Sequence, residues 1–499
     1  MAPSIPAHAF ALEEKPAYEV SIHAHNDDGL NSTDDELLVR LGKKPVLRRR
    51  FGFLAMIGFT CTMLVTWEGS LILFTTGLTN GGSAGLVYGY LFVWLGVLCV
   101  FTTMAEMASI APTAGGSIIG SPCSPRHLLW HGTLLFWATV AYAVFINTVV
   151  GWALPKIELA MLVLHVVGFL AVLIPLVACA PATAPTHDVF TDFLNGGNWP
   201  TQGLSFFVGL VGSVFAMFGC DATVHMAEEV NNAALVVPRA MLATTLFNGA
   251  LGFAMIIAVL FVTRDVDAAL QSPTGILGYP FMDIFSTATR SRAGASTMIA
   301  LVIIMSGAGT IAAMATGSRL IWAFARDRGL PGSGTVSKLS AQRIPMLAVV
   351  ITSIVTCLIG LINLGSAKAF NAVISLSVSS LFASYIIVET LMLYRRCTGG
   401  IKATRDAVEG HQLVWGPFHL PDGIGIVVNA FAVMFGLIIF FFSFWPVATP
   451  VDAATMNWSV LMTGSVGIFA VLYYLGRARK TFTGPIVETG AVDAFRVAE

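Results

Sequence analysis

Asp221, His225, Glu228 and Glu229 crowd into one short stretch of an otherwise apolar sequence. At spacings of i, i+4, i+7 and i+8 a continuous helix would gather them on one face. Such a face could ligate a metal, pass protons or form a charged gate. Metal ligation fits least, because Gly219 stands just upstream as a point where the helix breaks, and the last two acids lie toward its polar end. A proton relay or gate, and plain solvation at the membrane interface, remain open. The run leading in from Gly203 is apolar enough for a membrane helix, where a charged side chain costs roughly 3 kcal/mol and needs a reason. A glycine there frees backbone polar groups from the helical ladder. A broken helix carrying an acid is a common way to build a substrate site at bilayer depth.

A second acid has the same setting. Thr66-Trp67-Glu68-Gly69-Ser70 lies inside an apolar run covering about residues 52–78. Glu68 reads either as an acid satisfied by a neighbouring helix or as part of a second interruption opposite the first. In the second reading, free amides of a half-helix would bind a carboxylate, and Glu68 or Asp221 would pair with an ammonium. Trp67, Glu68, Gly69, Gly219 and Asp221 are the candidate substrate-binding residues, the full set being what the family resemblance given below implies. Asp221, His225, Glu228 and Glu229 are the candidates for proton coupling or gating. His165, alone among apolar neighbours, reads as a hydrogen-bonded packing residue. Glu389 reads as paired or snorkelling near Arg395 and Arg396.

These residues need positioning elements, and composition says which. Of 499 residues, 56% are hydrophobic and 11% charged, against about 25% charged in soluble domains. Apolar runs long enough to cross a roughly 30 Å core recur along the chain. They fall at about 52–78, 84–110, 132–152, 158–180, 203–224, 240–263, 294–322, 345–364, 371–394, 424–446 and 458–476. The reading is an all-α polytopic membrane protein of about eleven spans. Residues 1–50 read as a disordered cytoplasmic N-terminal tail, 51–480 as the transmembrane domain and 481–499 as a cytoplasmic C-terminal tail. No apolar leader precedes the first span, which would itself act as the targeting signal. The net charge of −1 gives no reason to expect nucleic acid. The seven cysteines lie mostly in apolar runs, against a disulfide framework. No nucleophile motif, zinc spacing or phosphate loop points to an enzyme.

Several separate stretches carry a resemblance. They are Ala105-Glu106-Met107 through Gly115-Gly116, Asp221 through Glu229, Val236-Val237-Pro238-Arg239-Ala240, and Ser318-Arg319-Leu320 through Gly329-Leu330-Pro331. Together they resemble fungal amino acid/choline transporters, which include GABA and choline permeases, within the amino acid–polyamine–organocation superfamily. The resemblance covers nearly all of residues 50–480. It implies twelve helices, the first ten in two inverted five-helix repeats, with the first and sixth helices discontinuous. It also implies proton-coupled uptake of a small amine or amino acid, with no cofactor beyond the proton, in an integral, plasma-membrane protein. On it, Trp67, Glu68 and Gly69 fall at the first unwound point, and Gly219 and Asp221 at the second. Ser318 to Pro331 corresponds to a structural or gating segment.

One departure stands out. Residues 113–131 hold prolines, glycines, an arginine and histidines where relatives have a third helix, and no spanning helix fits there. Charge parity says the same. Lys43, Lys44, Arg48, Arg49 and Arg50 place the N-terminus in the cytoplasm. Eleven crossings would then put Arg326, Arg328, Lys338, Arg343, Arg395, Arg396, Lys402, Arg405, Arg477, Arg479 and Lys480 outside, and one added crossing between Gly116 and Leu134 moves them all inside. A transport-inactive or sensor-like relative, or a mis-spliced product lacking one helix, is the alternative to a working transporter.

Overall fold

The computed structural model describes residues 46–111, 129–362, 367–402, 413–452 and 456–482, together with Asp34, Leu38 and Lys43. Apolar sequence in a membrane must satisfy its backbone internally, so it folds into helices. In order these are α1 (Phe53–Leu64), α2 (Thr66–Ile72), α3 (Phe74–Ile110), α4 (Leu129–Thr148), α5 (Leu154–Ala178), α6 (Gln202–Phe215), α7 (Ala222–His225) and α8 (Ala233–Val262). They continue with α9 (Pro280–Thr289), α10 (Arg292–Arg326), α11 (Met346–Gly360), α12 (Ala367–Cys397), α13 (Asp422–Phe442) and α14 (Ser459–Tyr473). Among the described residues, eight helical segments are long and apolar enough to cross a bilayer, and α6 and α11 are shorter apolar helices. Large apolar side chains such as Val163, Ile303 and Phe469 point outward, as a lipid-facing surface requires. The links between spans hold short helices, including α9, and one two-residue parallel strand pair, Ile401–Lys402 with Leu413–Val414.

The chain reverses within α3 at Gly82, whose φ is +66°. A Cβ there would stand 2.6 Å from the Leu194 nitrogen and 2.7 Å from the Asp192 oxygen, so the turn requires glycine. This reversal separates the first two expected spans. α6 lies alongside both limbs: a Cβ on Gly209 would sit 3.3 Å from Asn80 on the near limb, and one on Gly89 of the far limb 2.9 Å from Leu210 of α6. The far limb packs antiparallel to α8, with Tyr90 Oη donating to the Gly249 carbonyl at 3.0 Å and Trp94 Nε1 to that of Thr245 at 3.0 Å. α4 runs antiparallel to α11, its Trp137 Nε1 donating to the Cys357 carbonyl at 3.2 Å.

These pairings decide which basic segments share an end. Asn231 donates to the Phe51 carbonyl, placing the start of α8 beside the start of α1. α3, antiparallel to α8, therefore finishes at that same end. Arg396 meets Glu106 there, Lys43 pairs with Asp327, Arg326 pairs with Glu228, and Phe324 packs on Phe482. The basic N-terminus, the 326–343 loop, the end of α12 and the 477–480 segment thus lie together, as the positive-inside rule asks. α4, by contrast, begins at the opposite end. The connection through 112–128, and with it most of the stretch expected to lack a spanning helix, lies outside the described residues.

Ahead of α1, the described residues Asp34, Leu38 and Lys43 are buried, and Asp34 Oδ2 accepts from the Asn232 amide. One expectation is corrected. Glu389 is neither paired nor snorkelling. It is fully buried, both oxygens lack a hydrogen-bond partner, and Arg396 is taken by Glu106 instead. Glu389 and Arg396 share one face of α12, against Gly436 and Gly425 of α13, but seven residues hold them about 10 Å apart along the helix axis, and Arg396 reaches Glu106 instead.

The Arg396–Glu106 pair is fully buried at 2.6 Å, capped by the Leu420 amide and by Trp415 under the guanidinium. Arg396→Met is expected to destabilise the fold by about 3–5 kcal/mol, because Glu106 is left buried and unpaired. Adding Glu106→Gln should restore most of that loss. Unfolding of the purified single and double variants measures it; an additive double variant would show that the pair is not coupled.

Candidate functional site

The first span breaks at Val65, between α1 and α2, with φ +43°. A β-branched residue in the left-handed region is a genuine outlier, and such strain concentrates at sites of function. The break therefore lies one turn earlier than expected: Trp67, Glu68 and Gly69 are helical, on α2 immediately after it. The second break spans Ala216 to Asp221. Gly219 has φ +106°, and Asp221 occupies the N-cap position of the short α7. Here the break falls where the sequence placed it, since only glycine adopts that backbone without penalty.

The two interruptions lie against each other. A Cβ on Gly69 would contact Ala216 at 3.5 Å, and Thr60 and Thr223 share a hydrogen bond of 2.8 Å. Their acids diverge. Glu68 is fully buried and its Oε1 accepts from His165 Nδ1 of α5 at 3.0 Å, while His165 Nε2 lies 2.8 Å from Asn248 Oδ1 of α8. Asp221 is 3% exposed, with Oδ2 3.4 Å from His225 Nε2, and it interacts electrostatically with the Tyr385 hydroxyl of α12. Among the described residues no hydrogen bond or ion pair joins Glu68 to Asp221.

Beside these acids several buried polar atoms have no hydrogen-bond partner: Glu68 Oε2, Thr66 Oγ1, Trp67 Nε1, Asn248 Nδ2, Thr244 Oγ1 and Tyr385 Oη. A native interior leaves few such groups, and each calls for an explanation. Clustered at two helix breaks, they offer both donors and acceptors to a polar guest.

The stretch after Asp221 does not form one polar face. α7 ends at His225 and a single 3-10 turn carries Glu228 and Glu229. Glu228 is held by both terminal nitrogens of Arg326, at 2.6 and 3.0 Å, and Glu229 Oε1 by Arg319 Nε at 2.8 Å. The Glu229 carbonyl also accepts from the amides of Arg50 and Phe51. The start of α1, the end of the second interrupted span and the end of α10 are thereby tied together.

Sequence reasoning missed the partners. His165 is hydrogen-bonded, as read, but to Glu68. Asn248 and Tyr385 carried no sequence signal, because each is polar within a long helix and only packing aims it. Glu158, 1% exposed on α5 with both oxygens unpartnered, also went unremarked.

A bundle of apolar helices with two interrupted spans and buried acids at the interruptions is the architecture of a membrane transport protein, not of an enzyme. The chain belongs to the amino acid permease family, whose sequence profile matches residues 127–466. It is 27% identical to a choline transporter of Saccharomyces cerevisiae, over 91% of this chain and 86% of that one. It is 26% identical to an uncharacterized amino-acid permease of Schizosaccharomyces pombe, over 93% and 91% of the two chains. An amino-acid permease of Arabidopsis thaliana is also 26% identical, over 90% and 95%.

Proposed function

We propose that the chain is a proton-coupled secondary transporter that imports a small cationic or zwitterionic amine, such as choline, GABA or an amino acid. The observation that carries this reading is the group of unpartnered polar atoms around Glu68, buried at bilayer depth where such atoms cost most. Glu68 Oε2 supplies an acceptor for an ammonium. Trp67 Nε1 and Asn248 Nδ2 supply donors for a carboxylate, and the Trp67 ring supplies a face for a quaternary ammonium. No lysine or arginine is described in contact with Glu68 or Asp221, so an anionic guest would meet uncompensated like charge.

The two interrupted spans correspond to the first and sixth helices of the inverted five-helix repeats, and alternating access would proceed around them. The ion pairs of Glu228 and Glu229 would hold the cytoplasmic gate closed, with the N-terminus inside and the protein in the plasma membrane. In this reading Glu68 with His165, and Asp221 with His225, would carry the coupling proton.

Uptake of radiolabelled choline, GABA and amino acids in a transporter-deficient host tests the reading. Saturable uptake abolished by collapsing the proton gradient is expected; uptake of dicarboxylates alone would refute it. Asp221→Asn is expected to flatten the pH dependence of uptake, because its carboxyl could no longer exchange a proton. An unaltered pH profile in that variant would remove Asp221 from the coupling path.

A second reading rests on the short connection between Ala111 and Leu129, whose flanking helix ends lie at opposite ends of the bundle. In that reading the chain is a transport-inactive or sensor-like relative, or a mis-spliced product lacking the third helix. Absence of uptake by correctly localised protein, with substrate binding retained, would favour it.

A further inference from the structure

Away from the helix breaks, a cavity opens at the end of the bundle that carries the basic segments. Arg48 and Arg50 reach it from the stretch before α1, Arg319 from α10 and Arg343 from the loop before α11. Glu229 is the single acid in its lining, and its Oε1 is already bound to Arg319. Arg48, Arg50 and Arg343 have no ion-pair partner among the described residues. Three arginines from two parts of the chain thus line one space whose single acid is already bound to Arg319.

Like charges brought together repel, and side chains free to turn to solvent would normally separate. Here the backbone opposes separation. Arg50 and Phe51 donate their amides to the Glu229 carbonyl. Arg343 is held at φ +60°, in the left-handed region; its amide donates a hydrogen bond to the Ser340 carbonyl, and the Ile344 amide donates to Ser340 Oγ. A non-glycine residue kept in that conformation is held there by its surroundings. The backbone that carries Arg50 and Arg343 is therefore fixed beside this cavity.

We propose that this cavity binds a phosphate group, bridged by Arg48, Arg50 and Arg343. Guanidinium forks match the oxygens of a phosphate bidentately, and a doubly charged oxyanion compensates several arginines at once where chloride compensates one. The phosphate would belong either to a free anion or to a lipid headgroup, since Arg48 and Arg50 immediately precede a membrane helix. Bound there, it would tie the start of α1 to the loop before α11, beside the ion pairs of Glu228 and Glu229, and this added fastening rests on the gate reading above.

The test is thermal unfolding of the purified full-length chain, with binding rather than transport as the readout. The probes are inorganic phosphate, against sodium chloride at equal ionic strength, and short-chain phosphatidylinositol 4-phosphate, against short-chain phosphatidylcholine. A saturable rise in Tm with at least one phosphate probe is expected. The apparent affinity should fall about tenfold or more in Arg48→Gln and in Arg343→Gln, each of which removes a charge-assisted contact. Arg395→Gln, an exposed arginine outside the cavity, should behave as wild type. A rise with inorganic phosphate assigns the site to a free anion, and a rise with the phospholipid alone assigns it to a headgroup. No rise beyond the matched controls, or a rise equal in wild type, Arg48→Gln and Arg343→Gln, overturns the proposal. Arg343 is solvent-exposed, so its variant keeps the test decisive even where Arg48→Gln folds poorly.

Discussion

Glu68→Gln is expected to lower apparent affinity for a cationic substrate by about two orders of magnitude or more. The carboxylate is fully buried, Oε1 is committed to His165, and Oε2 is left without a partner inside the protein. Removing one member of a buried charge pair costs about 3–5 kcal/mol, and each 1.4 kcal/mol is about tenfold in affinity. Glutamine preserves the shape and can still hydrogen-bond His165, so the fold should persist. The loss should then appear in the KM for uptake and in the ligand-induced rise in Tm, with little change in the Tm of the empty protein. Unchanged uptake kinetics would make Glu68 a structural acid, satisfied by its histidine alone. A collapse in stability without ligand would say the same by another route.

The second large effect concerns the end held by Glu228. Arg326 grips this carboxylate with two nitrogens, and Glu228 is 3% exposed. Arg326→Gln leaves the acid buried without its cation, again a matter of about 3–5 kcal/mol. In a two-state gate that energy is a large part of the roughly 5.5 kcal/mol that takes the populations from 1:99 to 99:1. The variant should therefore expose the interior from this end. Thr223 is fully buried behind the pair, so Thr223→Cys in a background free of native cysteines reports on it. Labelling by an impermeant thiol reagent from the Arg50 side should be slow with Arg326 present and at least tenfold faster with Arg326→Gln. Equal rates would reduce the Glu228–Arg326 pair to a fastening with no part in opening.

Much of the scaffold was legible because its signals are local. A membrane helix announces itself by length and hydropathy alone, so an all-α membrane bundle was legible, and among the described residues eight helical segments are long and apolar enough to cross a bilayer. Gly219 marked the second interruption because a φ of +106° excludes other residues. The charge pattern was legible for a related reason. Basic residues avoid crossing the bilayer, and the segments bearing Arg326, Arg396 and Arg479 do lie at the same end as Arg50.

What the sequence could not carry was the first interruption and every pairing. Val65 breaks its helix without any glycine or proline, through strain that only the surrounding bundle can hold, so the residue types pointed one turn too far along. Glu68 finds His165 across 97 positions and Asn248 completes the chain from a third helix. Glu389 loses the expected arginine to Glu106, 290 positions from Arg396. Hydropathy fixes which segments enter the membrane, because that depends on each segment's own transfer from water. Which polar side chains meet there depends on rotations of whole helices about their axes, and those are settled only when ridges, glycines and neighbouring helices pack together.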